Sequence, residues 1–131
     1  MTTQAAGTFD TRDWEETTVS EIPGGGKLTH VHCVDSFHGD IAGTATTEYV
    51  LVYRSDGSGS YVGLEHVTGQ ISGQSGSFVL RHSGTFDDGG VKGSWVVVPG
   101  AGTGDLRRLS GEGSYAWDGK ATGYTLDYAL D

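Results

Sequence analysis

Cysteine, proline and positive charge are all scarce in this chain. Cys33 is its only cysteine, so no internal disulfide can form, and a single thiol suits a reducing compartment. Eight lysines and arginines stand against 17 aspartates and glutamates, for a formal net charge of −9, which repels phosphate backbones and anionic lipid and argues against nucleic-acid binding. Nowhere does an apolar run approach the roughly 18 residues needed to span a bilayer. Residues Met1 to Ala6 offer neither the basic start nor the apolar stretch of a signal peptide. These absences predict a cytoplasmic protein. No stretch has the periodicity of an amphipathic helix.

What is abundant is glycine, 23 residues against two prolines, set among β-branched and aromatic residues, and this pattern predicts strands joined by turns. Eight are expected, at about 5–19, 27–38, 41–54, 59–72, 77–87, 90–98, 106–117 and 120–130, in one domain spanning 1–131. Short connections force neighbours to be antiparallel. The stretches 20–26 and 99–105 are long enough to serve as rim loops or lids. An eight-stranded up-and-down meander of this kind can close into a barrel with room for side chains or one small ligand. The fold class expected is therefore an all-β, single eight-stranded antiparallel barrel, with a two-sheet sandwich as the alternative.

Tight hairpins allow facing to be carried from strand to strand, because side chains alternate faces. With Gly39-Asp40, Asp56-Gly57, Gln74-Ser75 and Asp88-Gly89 as two-residue turns, Val31 opposes Glu48, Glu48 opposes Glu65, Val67 opposes His82 and His82 opposes Trp95. Cys33, Phe37, Val50, Val52, Tyr61, Phe78, Leu80, Phe86, Val91 and Val97 share that face, which therefore reads as the interior. Turning at Asp118-Gly119, the last hairpin sets Tyr115 opposite Thr122 and Gly113 opposite Tyr124, again on an aromatic and apolar face.

Glu48, Glu65 and His82 are the candidate catalytic residues. Two carboxylates side by side in apolar surroundings cannot both stay ionised, so one becomes a donor while the other accepts, and His82 can do either. Such a set suits removal and return of a proton on a bound substrate. It equally suits a buried polar network, satisfied by Tyr61, Trp95 and Thr46, that does no chemistry. Tyr61, Phe78, Trp95, Cys33, Asp35, Tyr115 and Tyr124 are the candidate ligand-binding residues, with Asp35 nearer an end of the barrel. Two carboxylates and a histidine can also form an iron triad, but no second histidine falls on this face, and no metal or organic cofactor is expected. His30, His32 and His66 read as outward, and Cys33 as a small packed hydrophobe with no base beside it. The glycine runs at 24–26 and 100–104 lack the helix and lysine of a phosphate cradle.

On the opposite face, Tyr49, Leu51, Val62 and Leu64 form an apolar patch, which predicts a homo-oligomer. Reversing the faces would put this patch in the core and the glutamates outside.

From residue 24 onward the chain resembles one family. The carrying segments are Gly-Gly-Lys-Leu-Thr at 25–29, Phe-His-Gly-Asp-Ile at 37–41, Glu-Tyr-Val-Leu-Val-Tyr-Arg-Ser-Asp-Gly-Ser at 48–58 and Tyr-Val-Gly-Leu-Glu-His-Val-Thr-Gly at 61–69. Gly-Ser-Phe-Val-Leu-Arg-His-Ser-Gly-Thr-Phe at 76–86, Gly-Ser-Trp at 93–95, Val-Pro-Gly-Ala-Gly-Thr-Gly at 98–104 and Gly-Tyr-Thr-Leu-Asp-Tyr at 123–128 continue it. It is similar to the bacterial domain-of-unknown-function family numbered 3224, and that resemblance implies a barrel like that of allene oxide cyclases, enzymes that close rings. The function expected is binding of a small apolar or amphipathic molecule, with cofactor-independent isomerisation or cyclisation. The alternatives are a non-catalytic carrier and a structural or interaction module.

Overall fold

The structure, a computed structural model, describes residues 2–131. Its strands are β1 (Thr3–Ile22), β2 (Gly26–Gly39), β3 (Ile41–Tyr53), β4 (Gly59–Ile71), β5 (Gln74–Asp87), β6 (Gly90–Val97), β7 (Thr103–Gly104), β8 (Ser110–Trp117) and β9 (Thr122–Ala129), with no helix among the described residues. They form one antiparallel sheet in the order β4-β3-β2-β1-β9-β8-β6-β5-β7, and β4 also pairs with β5. Eight strands thus close into a ring, and the two-residue β7 lies outside it against Gly76 and Ser77.

The longest stretch of the ring paired on one side only is the second half of β1. Residues Thr3 to Phe9 pair with β9, whereas Asp10 to Ile22 run on with β2 alone. That free edge carries Asp10, Arg12, Asp13, Glu15 and Glu16, charges of the kind that discourage pairing with another chain. A bulge between Arg12 and Glu15 lets Asp13 take φ 56° and turns Trp14 towards the interior mouth. The expected loop at 20–26 is mostly strand, since Ile22 pairs with Gly26 across a short turn.

The strand registers correct the expected ones in a specific way. Asp88-Gly89 is the turn expected, and His82 does oppose Trp95. On β3, however, facing is inverted: Val31 pairs with Tyr49 and His32 with Glu48, while Thr47 rather than Glu48 pairs with Glu65. Glu48, Val50 and Val52 therefore face outward, and Tyr49 and Leu51 are buried. Both neighbouring turns differ from two residues by odd amounts, and the two errors cancel by β4. The β4–β5 turn is Ser72-Gly73, with both residues at positive φ as a tight hairpin requires, and His82 pairs with Gly63 instead of Val67. The last hairpin is offset by two, so Tyr115 opposes Tyr124 and facing is kept.

One end of the interior is sealed. The segment after β6, expected as a rim loop over 99–105 with a strand from 106, instead folds across it up to the start of β8 and drives Leu106 and Leu109 into a core with Ile41, Ile71, Phe78 and Leu126. Hydrogen bonds from Leu106 N to Thr103 O and from Leu109 N to Leu106 O hold the segment in successive turns.

Candidate functional site

The opposite end is an open cavity of about 680 Å³, walled by inward residues that include Phe9, Tyr49, Leu51, Phe86 and Val91. Trp14, Trp117 and Lys120 stand at its rim. Glu16 accepts hydrogen bonds from Tyr53 Oη (2.6 Å), Thr29 Oγ1 (2.8 Å) and Trp14 Nε1 (3.0 Å). Partial burial works against its charge, but those donors hold its carboxyl below the usual range.

Four strands build the inner wall of the cavity. Tyr61 on β4 opposes Gly84 on β5, Gly84 opposes Gly93 on β6, and Gly93 opposes Tyr115 on β8. The two rings reach towards each other over the two glycines until their hydroxyls lie 2.6 Å apart. A methyl group at Gly93 would run into both tyrosines, and one at Gly84 into Tyr61.

From this hydroxyl pair a hydrogen-bonded chain runs inward. Tyr115 Oη lies 2.6 Å from His82 Nδ1, and His82 Nε2 lies 2.7 Å from Glu65 Oε1. Glu65 Oε2 meets Thr47 Oγ1 at 2.9 Å, Thr47 Oγ1 meets Asp35 Oδ2 at 3.1 Å, and Thr11 Oγ1 donates to Asp35 Oδ1 at 2.6 Å. Asp35, Thr47, Glu65 and His82 are essentially inaccessible to solvent. Tyr61, Tyr115 and Thr11 line the cavity, so both ends of the chain come to the same opening.

Counting protons shows what this chain can do. Burial lowers the His82 pKa to about 4, so the ring is neutral and carries one N–H. Burial above all, then the hydrogen bonding and charge of Glu65, raises Asp35 to about 8, and burial also raises Glu65. Thr47 has a single hydroxyl hydrogen between two carboxyl groups, so one of them must donate. Asp35 is the protonated member, its proton shared with Glu65, and Thr47 bridges the two carboxyl groups. When Glu65 is ionised, Tyr61 donates to Tyr115, Tyr115 to His82 Nδ1, and His82 Nε2–H to Glu65. When Glu65 gains a proton every bond on this side reverses, and the Tyr61 hydroxyl is free to donate into the cavity. Every buried side-chain polar atom among the described residues has a partner.

The expected site residues separate accordingly. Glu65 and His82 are joined directly; Asp35 enters through Thr47, and Tyr61 and Tyr115 complete the chain. Glu48 is not part of it. It lies outside, half exposed, with its Oε1 2.9 Å from His30 Nε2 and its Oε2 against His32 Nδ1. Hydrogen bonding to His32 lowers the Glu48 pKa, and Glu48 raises that of His32. Trp95 packs edge-on against His82 at 5.3 Å and donates from Nε1 to Thr125 O at 3.0 Å. Phe78 belongs to the sealed end. Cys33 is buried with its thiol pushed up to about 12, chiefly by desolvation. The Tyr124 hydroxyl ties the β2–β3 corner, accepting from Ile41 N at 2.9 Å and donating to His38 O at 3.1 Å. Thr11 and Thr47 were missed by the sequence reading, because a threonine on a strand carries no signal of its own.

No group of three or more His, Cys, Asp or Glu among the described residues is arranged to hold a metal ion. Among the described residues no helix is long and apolar enough to cross a membrane.

Comparison with known proteins is consistent with this architecture. A protein of unknown function from the DUF3224 family of Shewanella oneidensis MR-1 has a similar solved structure, with a TM-score of 0.88 and 27% identity over 100% of this chain and 98% of that one. No curated protein matches. The family model for proteins of unknown function DUF3224 matches residues 5–128, and the chain belongs to that family.

Proposed function

We propose that this protein is a small-molecule-binding β-barrel of the allene oxide cyclase type that takes an apolar or amphipathic metabolite into its open end and moves a proton on it without a cofactor. The observation that carries this reading is the unbroken chain from Tyr61 to Glu65, buried behind a cavity of ligand size. In the deprotonating direction a ligand proton passes to Tyr61 as Tyr61 passes its own to Tyr115, Tyr115 to His82 Nδ1, and His82 Nε2–H to Glu65. The reverse sequence returns a proton, and removal at one atom with return at another is an isomerisation. Glu65 acts as the base through His82 and the tyrosines. Because burial has raised its pKa, it is a stronger base than an exposed carboxylate.

A second reading, a carrier that only orients its ligand, is favoured by the complete satisfaction of the network's buried polar atoms, since a fully paired network also specifies a rigid core. In either case the charge of −9 disfavours nucleic-acid and anionic-membrane partners and fits a cytoplasmic setting. Homo-oligomer formation belongs to the same proposal, but not through the patch expected. Tyr49 and Leu51 point inward, and the exposed apolar side chains of β3 and β4 are Val50, Val52, Val62 and Leu64.

Binding of the neutral dye Nile red tests the cavity. Fluorescence enhancement should be lost in Val91→Trp, which fills the mouth, and kept in Leu64→Lys on the outer wall. The opposite pattern would move binding to the outside hollow of about 870 Å³ beside Val62 and Leu64 and refute the reading.

A further inference from the structure

The hydroxyl pair at the cavity wall also bears on what kind of molecule is bound. We infer that the ligand is a flat, conjugated or aromatic molecule that presents one uncharged phenol, enol or carbonyl oxygen to Tyr61, and that it is not a carboxylate or a phosphate. This rests on the reading of the open end as a ligand cavity and narrows it.

Three observations support the inference. The first is hydrogen-bonding capacity. Tyr115 Oη is engaged by both His82 Nδ1 and Tyr61 Oη, whereas among the described residues the only side-chain partner of Tyr61 Oη is Tyr115. Tyr61 therefore keeps bonding capacity for a ligand. When Glu65 is ionised the Tyr61 hydrogen points to Tyr115, and its oxygen can accept from a ligand O–H. When Glu65 is protonated the Tyr61 hydrogen is released and can donate to a ligand C=O. A phenol or enol matches the first state and a ketone or aldehyde the second, so one group serves a ligand that interconverts between them.

The second observation is electrostatic. The buried groups behind the tyrosines are Asp35 and Glu65, with a neutral His82 and no buried cation. Among the described residues Lys120 is the only cation lining the cavity, and it lies at the exposed rim, which Asp10 and Asp87 also line. A permanent anion seated on Tyr61 would be desolvated beside a carboxyl pair with nothing to neutralise it, a costly arrangement. A neutral oxygen carries no such cost, and an oxyanion forming during reaction is met by the proton that the chain delivers.

The third is shape. Tyr61 and Tyr49 meet edge to face with centroids 5.3 Å apart, Tyr53 and Phe86 likewise at 5.1 Å, and Trp117 stands at the rim. Aromatic walls with exposed faces and edges favour flat conjugated ligands through offset and edge contacts. A cavity of about 680 Å³ accommodates two or three fused rings.

The test uses three probes that share one ring system, namely 2-naphthol, 2-methylnaphthalene and 2-naphthoate, titrated into the full chain at pH 7 and followed by calorimetry. 2-Naphthol should bind roughly tenfold more tightly than 2-methylnaphthalene, the effect of one net hydrogen bond, and 2-naphthoate should bind most weakly. In Tyr61→Phe the preference for naphthol over methylnaphthalene should vanish, with methylnaphthalene affinity unchanged within about twofold. Equal affinity for naphthol and methylnaphthalene, or preference for naphthoate, overturns the ligand class while leaving an apolar cavity in place. Failure of all three to bind overturns the cavity reading and this inference together. The comparison of probes on the unmodified protein decides the matter even if the variant folds poorly.

Discussion

The two ends of this interior are built from the same alternating strands yet differ in every physical property that matters for function. At one end Leu106 and Leu109 come down onto Ile41, Ile71, Phe78 and Leu126 in a buried apolar cluster. At the other, aromatic residues wall a space of about 680 Å³, with hydroxyl groups among them. Between them lies the hydrogen-bonded chain from Tyr61 to Thr11. The difference teaches that closure of the strand ring does not decide whether the inside is full. The sealed end has a plug segment supplied by the chain after β6, whereas the open end is rimmed by β1 and by the β3–β4, β5–β6 and β8–β9 hairpins.

The contrast can be broken most forcefully at the sealed end. Leu106→Ala should cost about 2–5 kcal/mol, because the space it leaves is enclosed and dry, while Val91→Ala at the half-buried mouth should cost less than about 1.5 kcal/mol. Urea unfolding of the two variants measures the gap, and equal costs would mean that the two ends are packed alike.

Next in size is Gly93→Ala, expected to cost about 1–3 kcal/mol by forcing Tyr61 and Tyr115 apart. Near-ultraviolet circular dichroism should report the displaced tyrosines, and an unchanged spectrum with unchanged stability would remove the close approach from the account.

A third effect depends on pH. In the unfolded chain Asp35 ionises near the ordinary aspartate value, but in the fold its pKa is about 8. Between those values the folded state holds the extra proton, so stability falls as pH rises. His82, lowered to about 4, has the opposite sign: below the ordinary histidine value the unfolded state holds the extra proton. The two oppose each other below about pH 6.5. From there to about 8 the Asp35 effect acts without His82. Stability should decline in this window by up to about 1.4 kcal/mol per pH unit for each proton involved, and Asp35→Asn should flatten the decline. A thermal midpoint series across the window checks the slope.

The smallest effect is expected outside. Glu48→Gln should change stability by less than about 1 kcal/mol, as an exposed pair with His30 and His32 would. A larger loss would place Glu48 in the interior after all.

That last contrast shows how far the sequence could be read. Strand order, antiparallel pairing and the inward facing of Glu65, His82, Tyr61 and Tyr115 were all legible, because Asp88-Gly89 is a true two-residue turn and the offsets at the β4–β5 and β8–β9 hairpins were even. The facing of β3 was not. At its start Gly39 takes φ 105° and Asp40 bonds sideways to β1, its N donating to Ala6 O and its Oδ2 accepting from Ala6 N, while Tyr124 from β9 holds Ile41. Such a corner is set by residues far away in sequence. At its end Asp56 folds back to accept from Ser58 N and Oγ, so a five-residue loop replaces the two-residue turn that Asp-Gly suggested. Either odd error alone would have turned every later strand inside out. Together they confined the error to β3, where Thr46, Glu48, Val50 and Val52 turn outward and Thr47, Tyr49 and Leu51 turn inward.

Inner and outer histidines give the most direct test of the central claim, that a neutral His82 links Glu65 to the cavity tyrosines. Nitrogen-15 shifts of all five imidazoles, followed from pH 8 to pH 5, should show His82 neutral throughout with one nitrogen protonated, and His32 taking up its proton above the ordinary histidine value because Glu48 holds it. Protonation of His82 above pH 6 would contradict the account.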